Sequence, residues 1–258
     1  MSVDALLSEE DPPVFLIEQA QGSSVFLVTC DHGGRAIPRR LANLRLSEQE
    51  LSTHVAWDLG VAELGRRLSA RLNAFLIVQN YSRLVIDANR PPGAPDSIPA
   101  LSERTRIAAN EGLSPSDART RVEEVFQPYH RRIRDELVAR SARACPSVLV
   151  ALHSFTPVYL DKGRPWHVGV LYGRDPRLGR LVREGLRRDG SLVVGDNQPY
   201  SVSDATDYTI IVHGAHRGIP HVALEIRQDL LANESDVQSW AERLGGVLEE
   251  AVPQVSPT

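Results

Sequence analysis

The stretch SVFLVTCDHGGRAIP, residues 24–38, begins as a short apolar run and changes character at Asp31. An apolar run of this length that ends in polar residues and Gly-Gly predicts a buried strand of a parallel sheet rather than a helix. Asp31 and His32 are then expected just past the carboxyl end of that strand, where open α/β sheets bind their ligands. A surface turn with an idle Asp-His pair explains the stretch equally well, so the choice depends on what other strands bring to the same edge.

Further apolar runs alternate with segments of helical periodicity. Strands are expected at residues 74–79, 147–152, 167–172, 192–194 and 220–226. Helices are expected at residues 55–72, 114–144, 176–188 and 235–250, with a kink or break at Pro128 in the second. The polar stretches 93–113 and 195–218 are expected to be long loops. This alternation predicts an α/β fold, a three-layer α/β/α sandwich with a mostly parallel or mixed central sheet.

The composition limits the classes of function. The chain has 258 residues and a formal net charge of −4. No composition change marks a boundary, so we expect a single domain over residues 1–258, with residues 1–23 as an N-terminal arm. No basic excess indicates a nucleic-acid partner, no apolar run is long enough for a membrane helix, and residues 1–10 do not resemble a signal peptide. A cytoplasmic protein is therefore expected, and the sequence makes no prediction about its oligomeric state.

Three polar residues follow or close apolar runs of the predicted sheet: His32, His153 and Glu225. If their strands are neighbours, the three side chains lie at one edge. Two neutral imidazoles are half of a zinc site, and a catalytic zinc takes a third protein ligand and leaves a position for water. Asp58 and Asp31 are the candidates for that ligand, and Glu225 is suited to act as general base on the water. The alternative is that each His is an ordinary hydrogen-bonded loop residue, because the sequence has no HExxH or CxxC pattern.

Five segments of the chain match one family in the right order. They are DH at residues 31–32, HVAWDLG at 54–60, YSRLVIDANRPP at 81–92, HSFTP at 153–157 and EIRQDL at 225–230. Across residues 20–245 the chain therefore resembles the N-formylglutamate amidohydrolase family, which is similar to the zinc carboxypeptidase and aspartoacylase group. The resemblance implies a zinc carboxypeptidase-like fold and a site with a first His ligand, an acidic ligand, an Asn-Arg pair, a second His ligand and a catalytic Glu. In this sequence the matching residues are His32, Asn89, Arg90, His153 and Glu225.

The acidic ligand is the point at which this sequence departs from that group. The group has it three residues after the first His, where this chain has Arg35, and a guanidinium cannot bind a cation. The resemblance then implies Asp58, in the Trp-Asp segment, as the ligand, with Asp31 as the second choice. A helix N-cap is the ordinary structural explanation for Asp58.

Arginine side chains supply the expected contacts to substrate. A guanidinium binds a carboxylate through two parallel hydrogen bonds, so Arg90, assisted by Asn89, is expected to hold the α-carboxylate of an N-acyl amino acid. Arg83 is expected either to hold a carboxylate or to stabilise the oxyanion at the scissile carbonyl, and Asp87 to orient one of these arginines. Arg227 is the candidate for a second substrate carboxylate. A buried arginine–aspartate network is the alternative explanation.

Together with the resemblance, these residues predict a hydrolase with one Zn²⁺ held by His32, His153 and, as the resemblance implies, Asp58. Glu225 would take a proton from the bound water and return it to the leaving amine, while Arg83 would stabilise the oxyanion. The resemblance implies hydrolysis of N-formylglutamate to glutamate and formate, so the expected partner is a small N-acyl amino acid. Two alternatives stay open: the same site acting on another N-acyl amino acid, a peptide or a cell-wall amide, and an inactive relative that only binds a small molecule.

Overall fold

The structure, a computed structural model, describes residues 5–255. Its strands are β1 (Phe15–Glu18), β2 (Phe26–Cys30), β3 (Phe75–Gln79), β4 (Leu101–Ser102), β5 (Thr105–Arg106), β6 (Val148–Phe155), β7 (Val158–Tyr159), β8 (Lys162–Gly163), β9 (Val168–Leu171), β10 (Val194–Asp196) and β11 (His221–Arg227). Its α-helices are α1 (Glu48–Leu51), α2 (Val61–Leu72), α3 (Pro115–Arg121), α4 (Gln127–Ala142), α5 (Arg177–Arg187) and α6 (Glu234–Ala251). Within residues 5–255 no helix is long and apolar enough to cross a bilayer.

Seven of these strands form one sheet in the order β1-β3-β2-β6-β11-β9-β10. The central strands β3, β2, β6 and β11 run parallel to one another. Strand β1 is antiparallel to β3, β9 is antiparallel to β11, and β10 is parallel to β9. The mixed central sheet predicted from the sequence is therefore confirmed. Strands β4 with β5, and β7 with β8, form two short hairpins outside it.

Helices cover both faces of this sheet. Val28 of β2 packs in one core cluster with Leu64 of α2 and Trp240 of α6. Its neighbour Leu27 packs with Ile133 of α4 in a second cluster on the opposite face. These two clusters make the three-layer arrangement that the sequence predicts. They also explain why β2 is apolar except for Thr29, since both of its faces are buried.

The helix expected at residues 55–72 begins only at Val61. Gly60 precedes it at φ 77°, a left-handed conformation that favours glycine. Asp58 lies in the turn before this helix, and no side chain caps the helix start. The N-cap explanation for Asp58 is therefore wrong, and its carboxylate is available for other contacts.

Pro128 does not break the helix expected at residues 114–144. The chain stays helical over residues 115–142, with a π-helical segment, Val122–Phe126, between α3 and α4. Pro128 follows that wider segment in the first turn of α4, a position at which a missing N–H is tolerated. The kink or break expected there is replaced by this local change of helix type.

Three stretches expected to be irregular contain regular structure. In the N-terminal arm, whose residues 1–4 lie outside the described part of the chain, β1 adds an antiparallel edge strand. The loop expected at 93–113 contains the hairpin of β4 and β5. The loop expected at 195–218 contains the π-helical segment Ile210–Gly214 and a following 3₁₀ turn, Ala215–Arg217. Residues from both loops line the cleft described next.

Candidate active site

The predicted strand ends meet at one edge of the sheet. Strands β2, β6 and β11 are neighbours, and Glu225 of β11 is paired with His153 of β6 in their parallel register. His32 follows the end of β2 by two residues. All three side chains line one cleft, as expected for residues at the carboxyl ends of neighbouring parallel strands.

His32, Asp58 and His153 form a buried group whose ligand atoms all lie within 4.8 Å of one another. Asp58 Oδ2 is 3.0 Å from His153 Nδ1 and 3.4 Å from His32 Nδ1. The turn before α2 positions this carboxylate, because Asp58 N donates to His32 O at 2.9 Å and Ser154 N donates to Asp58 Oδ2 at 3.3 Å. Two imidazoles and a carboxylate are a ligand set that can hold a metal ion.

A carboxylate stands behind each imidazole of this His-His-Asp group. His32 Nε2 lies 2.7 Å from Asp87 Oδ1, and His153 Nε2 lies 3.5 Å from Asp31 Oδ2. An imidazole that gives one N–H to a carboxylate keeps its other nitrogen for a metal. In His32 that other nitrogen is Nδ1, 3.4 Å from Asp58 Oδ2. In His153, Nδ1 lies 3.0 Å from Asp58 Oδ2 and Nε2 has no hydrogen-bond partner in the described chain. Asp31, the second choice for the acidic ligand, lies outside the group within ion-pair distance of His153, and its Oδ1 accepts a hydrogen bond from Tyr129 at 2.7 Å.

The His-His-Asp group fits a metal ion on its own chemistry. His32 Nδ1 is buried and has no hydrogen-bond partner in the described chain, although buried polar atoms in native proteins nearly always have one. Arg35, at the position of the usual acidic ligand, points away to the surface and pairs with Glu48. The carboxylate of the His-His-Asp group is that of Asp58.

The carboxylates around the group raise the pKa of both of its imidazoles. Burial lowers the pKa of His32, but Asp87 and Asp58 outweigh burial, so the net shift is upward. Burial also lowers the pKa of His153, and hydrogen bonding to Asp31 and Asp58 raises it well above its usual value. A metal-binding imidazole is neutral, so a divalent cation held by this group would itself balance the neighbouring carboxylates.

Glu225 lines the cleft next to this group. Burial is the largest influence on its carboxyl and raises the pKa to about 7; His153 opposes this shift and Asp58 adds to it. Its Oε2 atom is buried without a hydrogen-bond partner in residues 5–255. A carboxyl that titrates near neutrality can both accept and return a proton, as a general base and acid must.

Arg83 connects the open part of the cleft to the His-His-Asp group. Its Nη1 donates to Asp58 Oδ1 at 3.3 Å, and its Nη2 donates to Asp87 Oδ2 at 3.0 Å. The arginine–aspartate network considered from the sequence is therefore present, and it includes the carboxylate behind His32. Arg83 also lines the cleft with a side chain that is 27% exposed. Its guanidinium is held in place where it can contact a bound molecule.

Asn89 and Arg90 line the same cleft, but both already have partners within the protein. Asn89 Oδ1 accepts hydrogen bonds from the backbone N–H groups of Tyr208 and Thr209, each at 3.0 Å. Arg90 Nε lies 2.9 Å from Asp96 Oδ2. Asn89 thus holds the 195–218 segment next to the cleft. The charge of Arg90 is balanced by Asp96, which a substrate carboxylate would have to displace.

Arg227 differs in position from the other predicted site residues. It ends β11, and its Nε and Nη2 donate to Asp229 at 2.8 and 3.1 Å. Among the described residues, those that line the cleft do not include Arg227. Contact with a substrate carboxylate would require it to leave Asp229.

The cleft is also lined by residues that were not predicted from the sequence. Its volume is about 570 Å³, and its lining includes His54, Glu103, Tyr159 and Tyr200. His54 Nε2 lies 2.9 Å from Glu103 Oε2, and the Arg164 guanidinium lies 4.6 and 4.9 Å from the centroids of the two tyrosine rings. His54 belongs to segment 54–60, one of the five that match the family, so the sequence could have indicated it as a site residue. The tyrosines come from irregular segments with no such signal.

Fold and site together define an α/β protein with a candidate metal-binding group at the carboxyl edge of a mixed sheet. The model of the N-formylglutamate amidohydrolase family matches residues 24–232, which is most of the chain. This chain belongs to the N-formylglutamate amidohydrolase family, and the resemblance seen in the sequence is confirmed. The family is one of hydrolases, so the cleft is its candidate active site.

Two solved structures are similar over nearly the whole chain. A gene product of Agrobacterium tumefaciens is 34% identical with a TM-score of 0.93, and the match covers 97% of this chain and 99% of that one. N-formylglutamate amidohydrolase from Ralstonia eutropha JMP134 is 17% identical with a TM-score of 0.69, over 95% of this chain and 100% of that one. At that identity the second likeness shows a shared fold. No curated protein sequence matches the chain.

Proposed function

We propose that this chain is a zinc-dependent amidohydrolase that cleaves the amide bond of an N-formyl or N-acyl amino acid. Family membership favours N-formylglutamate as the substrate, with glutamate and formate as products. The observation behind the proposal is the buried group of His32, Asp58 and His153, in which His32 Nδ1 has no hydrogen-bond partner in the described chain. Glu225 stands next to this group with a pKa near neutrality.

His32, Asp58 and His153 would hold the ion. Zinc in such a site supplies a bound water of lowered pKa and positive charge near the scissile carbonyl. Glu225 moves the protons: its carboxylate accepts one from the attacking water, and the resulting acid donates it to the leaving amine nitrogen. Because burial raises the pKa of Glu225 to about 7, both of its forms are populated near neutral pH.

Two arginines would bind the anionic parts of the substrate and transition state. Arg83 is held by two aspartates next to the His-His-Asp group, so it is positioned to stabilise negative charge on the carbonyl oxygen. Arg90, assisted by Asn89, would hold the α-carboxylate in exchange for its present partner. Arg227 would reach a second carboxylate only by releasing Asp229.

Metal analysis and activity of one preparation test the proposal. We expect bound zinc in the purified protein, hydrolysis of N-formylglutamate, loss of activity on chelation and recovery on adding zinc. Glu225→Gln should retain zinc and lose activity, whereas Asp58→Ala should lose both. A metal-free protein with unaltered activity would reject the proposal.

The size of the cleft favours a second candidate, an amidase that acts on a larger N-acyl amino acid or a short peptide. Its volume of about 570 Å³ falls in the range of sites that take drug-sized ligands, and Tyr159 and Tyr200 provide apolar surface in its lining. A panel of N-acyl glutamates in which the acyl group lengthens from formyl to acetyl to succinyl separates the two. A kcat/KM that rises along the panel favours the larger substrate. Ligand binding with neither metal nor turnover would instead support the inactive relative.

A further inference from the structure

A second cavity, separate from the cleft, has no part in the proposed reaction. It has a volume of about 370 Å³ and is lined by residues of α4, of the π-helical segment Ile210–Gly214 and of their neighbours. One wall is aromatic, because the ring centroids of Phe126, His130 and Tyr208 lie 4.3 to 4.9 Å apart. Phe126 ends the other π-helical segment, and π-helical turns occur frequently at functional sites.

Three guanidinium groups line this cavity, from Arg131, Arg134 and Arg217, and no carboxylate of the described chain lines it. The side chains of Arg131 and Arg217 have no hydrogen-bond or ion-pair partner within residues 5–255. Arg134 Nε lies 3.6 Å from Asp135 Oδ1. The whole chain has a formal net charge of −4, so this local excess of positive charge is not a general property of its surface. Clustered guanidinium groups with little compensation favour an anion.

Two imidazoles beside the arginines form a directed hydrogen-bonded pair. His130 Nε2 lies 2.8 Å from Ala88 O, and a carbonyl only accepts, so this nitrogen donates. Burial lowers the pKa of His130 to about 4 and that of His213 to about 3, so both rings are neutral. His130 Nδ1 then accepts from His213 Nε2 at 3.0 Å, which leaves His213 Nδ1 as an acceptor. That atom is buried and has no partner in the described chain, and His213 is only 2% exposed.

The cavity shares a wall with the active-site cleft. Ala88, whose carbonyl accepts from His130, directly precedes Asn89, and Asn89 Oδ1 accepts from the N–H of Tyr208. Asn89 lines the cleft, whereas Tyr208 lines the second cavity. No residue lines both cavities among those described, so the second cavity is a separate site next to the first.

We propose that this second cavity binds inorganic phosphate. Its three guanidinium groups supply charge-assisted hydrogen bonds to the phosphate oxygens. Phosphate also keeps a protonated oxygen near neutral pH, and an O–H group is the donor that His213 Nδ1 lacks. Sulfate and simple carboxylates bring negative charge without that proton. The inference does not depend on the proposed hydrolase activity, because no residue of the His-His-Asp group takes part.

Calorimetric titration of the full chain with sodium phosphate tests this site, at near-neutral pH and an ionic strength held constant with sodium chloride. We expect one saturable site, and an affinity that falls roughly tenfold or more in Arg217→Gln and in Arg131→Gln, since each removes a charge-assisted hydrogen bond. Both side chains are exposed, so both variants are expected to fold. Arg119→Gln, an exposed change on α3 outside the cavity, is the matched control and should leave the affinity unchanged. Sulfate should bind more weakly than phosphate.

Arg90→Gln separates this site from the active-site cleft. It removes a guanidinium of the cleft and should leave phosphate binding unchanged if the anion occupies the second cavity. Circular dichroism of each variant checks that it is folded. Absence of saturable binding, equal affinity for sulfate and phosphate, or a loss of binding in Arg90→Gln but not in Arg217→Gln would each overturn the proposal.

Discussion

Replacing Asp87 by Asn removes one negative charge behind His32 while keeping the shape of the side chain. His32 Nε2 lies 2.7 Å from Asp87 Oδ1, and Arg83 Nη2 donates to Asp87 Oδ2 at 3.0 Å. The carboxylate therefore orients the His32 ring so that Nδ1 faces Asp58. It also balances the positive charge of Arg83. Loss of a carboxylate behind a metal-binding imidazole typically weakens metal affinity about 10–100-fold. That factor corresponds to about 1.4–2.7 kcal/mol of binding free energy.

Competition with a chromogenic chelator measures this change as a ratio of zinc Kd values. We expect Asp87→Asn to fall within that range, with a folded circular dichroism spectrum. Asp161→Asn is the matched control: it makes the same chemical change in the turn between β7 and β8, where the side chain is 77% exposed and pairs with Arg104. Wild-type zinc affinity in a folded Asp87→Asn protein would refute the idea that this carboxylate positions His32.

Glu225→Gln should lower kcat by about 10²–10⁴-fold because an amide cannot take the proton of the attacking water. Unchanged zinc content is the control, and near-normal turnover would contradict the role of Glu225 as general base. In the wild type, kcat/KM should fall as pH drops below about 7, since burial raises the pKa of Glu225 to about 7 and only the ionised form accepts a proton. A profile that is flat through this pKa contradicts that reasoning. Arg90→Gln should raise KM roughly tenfold for an α-carboxylate substrate but not for the matching α-amide; equal effects on both argue against the contact. Trp240→Ala should cost about 3–5 kcal/mol of unfolding free energy in urea, because Trp240 is buried between α6 and the sheet, and an unchanged midpoint would contradict this packing.

Much of the fold was predictable from local patterns. β2 and β3 are short apolar runs with burial on both faces, as a central parallel strand requires. Because neighbouring parallel strands end at a common edge, His32, His153 and Glu225 were expected together on the condition that their strands are neighbours. The family was recognisable for a related reason, since each matched segment is local in the sequence.

Turn geometry was less predictable from the same patterns. The apolar periodicity of residues 55–72 continues through the left-handed Gly60, which delays the helix to Val61 and leaves Asp58 in the turn that faces the imidazoles. Arg227 is on a strand end like the other site residues, but a carboxylate two residues later, Asp229, binds it. Such outcomes depend on one dihedral angle or one nearby partner, and periodicity does not report either.

The sequence by itself determined the six strands β2, β3, β6, β9, β10 and β11, the main helices between them, and which polar residues follow or close those strands. Only the tertiary structure decided what each of those residues contacts. Asp87 meets His32 across 55 residues of sequence, and His130 meets His213 across 83. The physical reason is that apolar periodicity reflects burial, which each segment encodes locally. Hydrogen-bond partners and cavities instead depend on ångström-scale distances between segments, and those distances are set only when the whole chain packs.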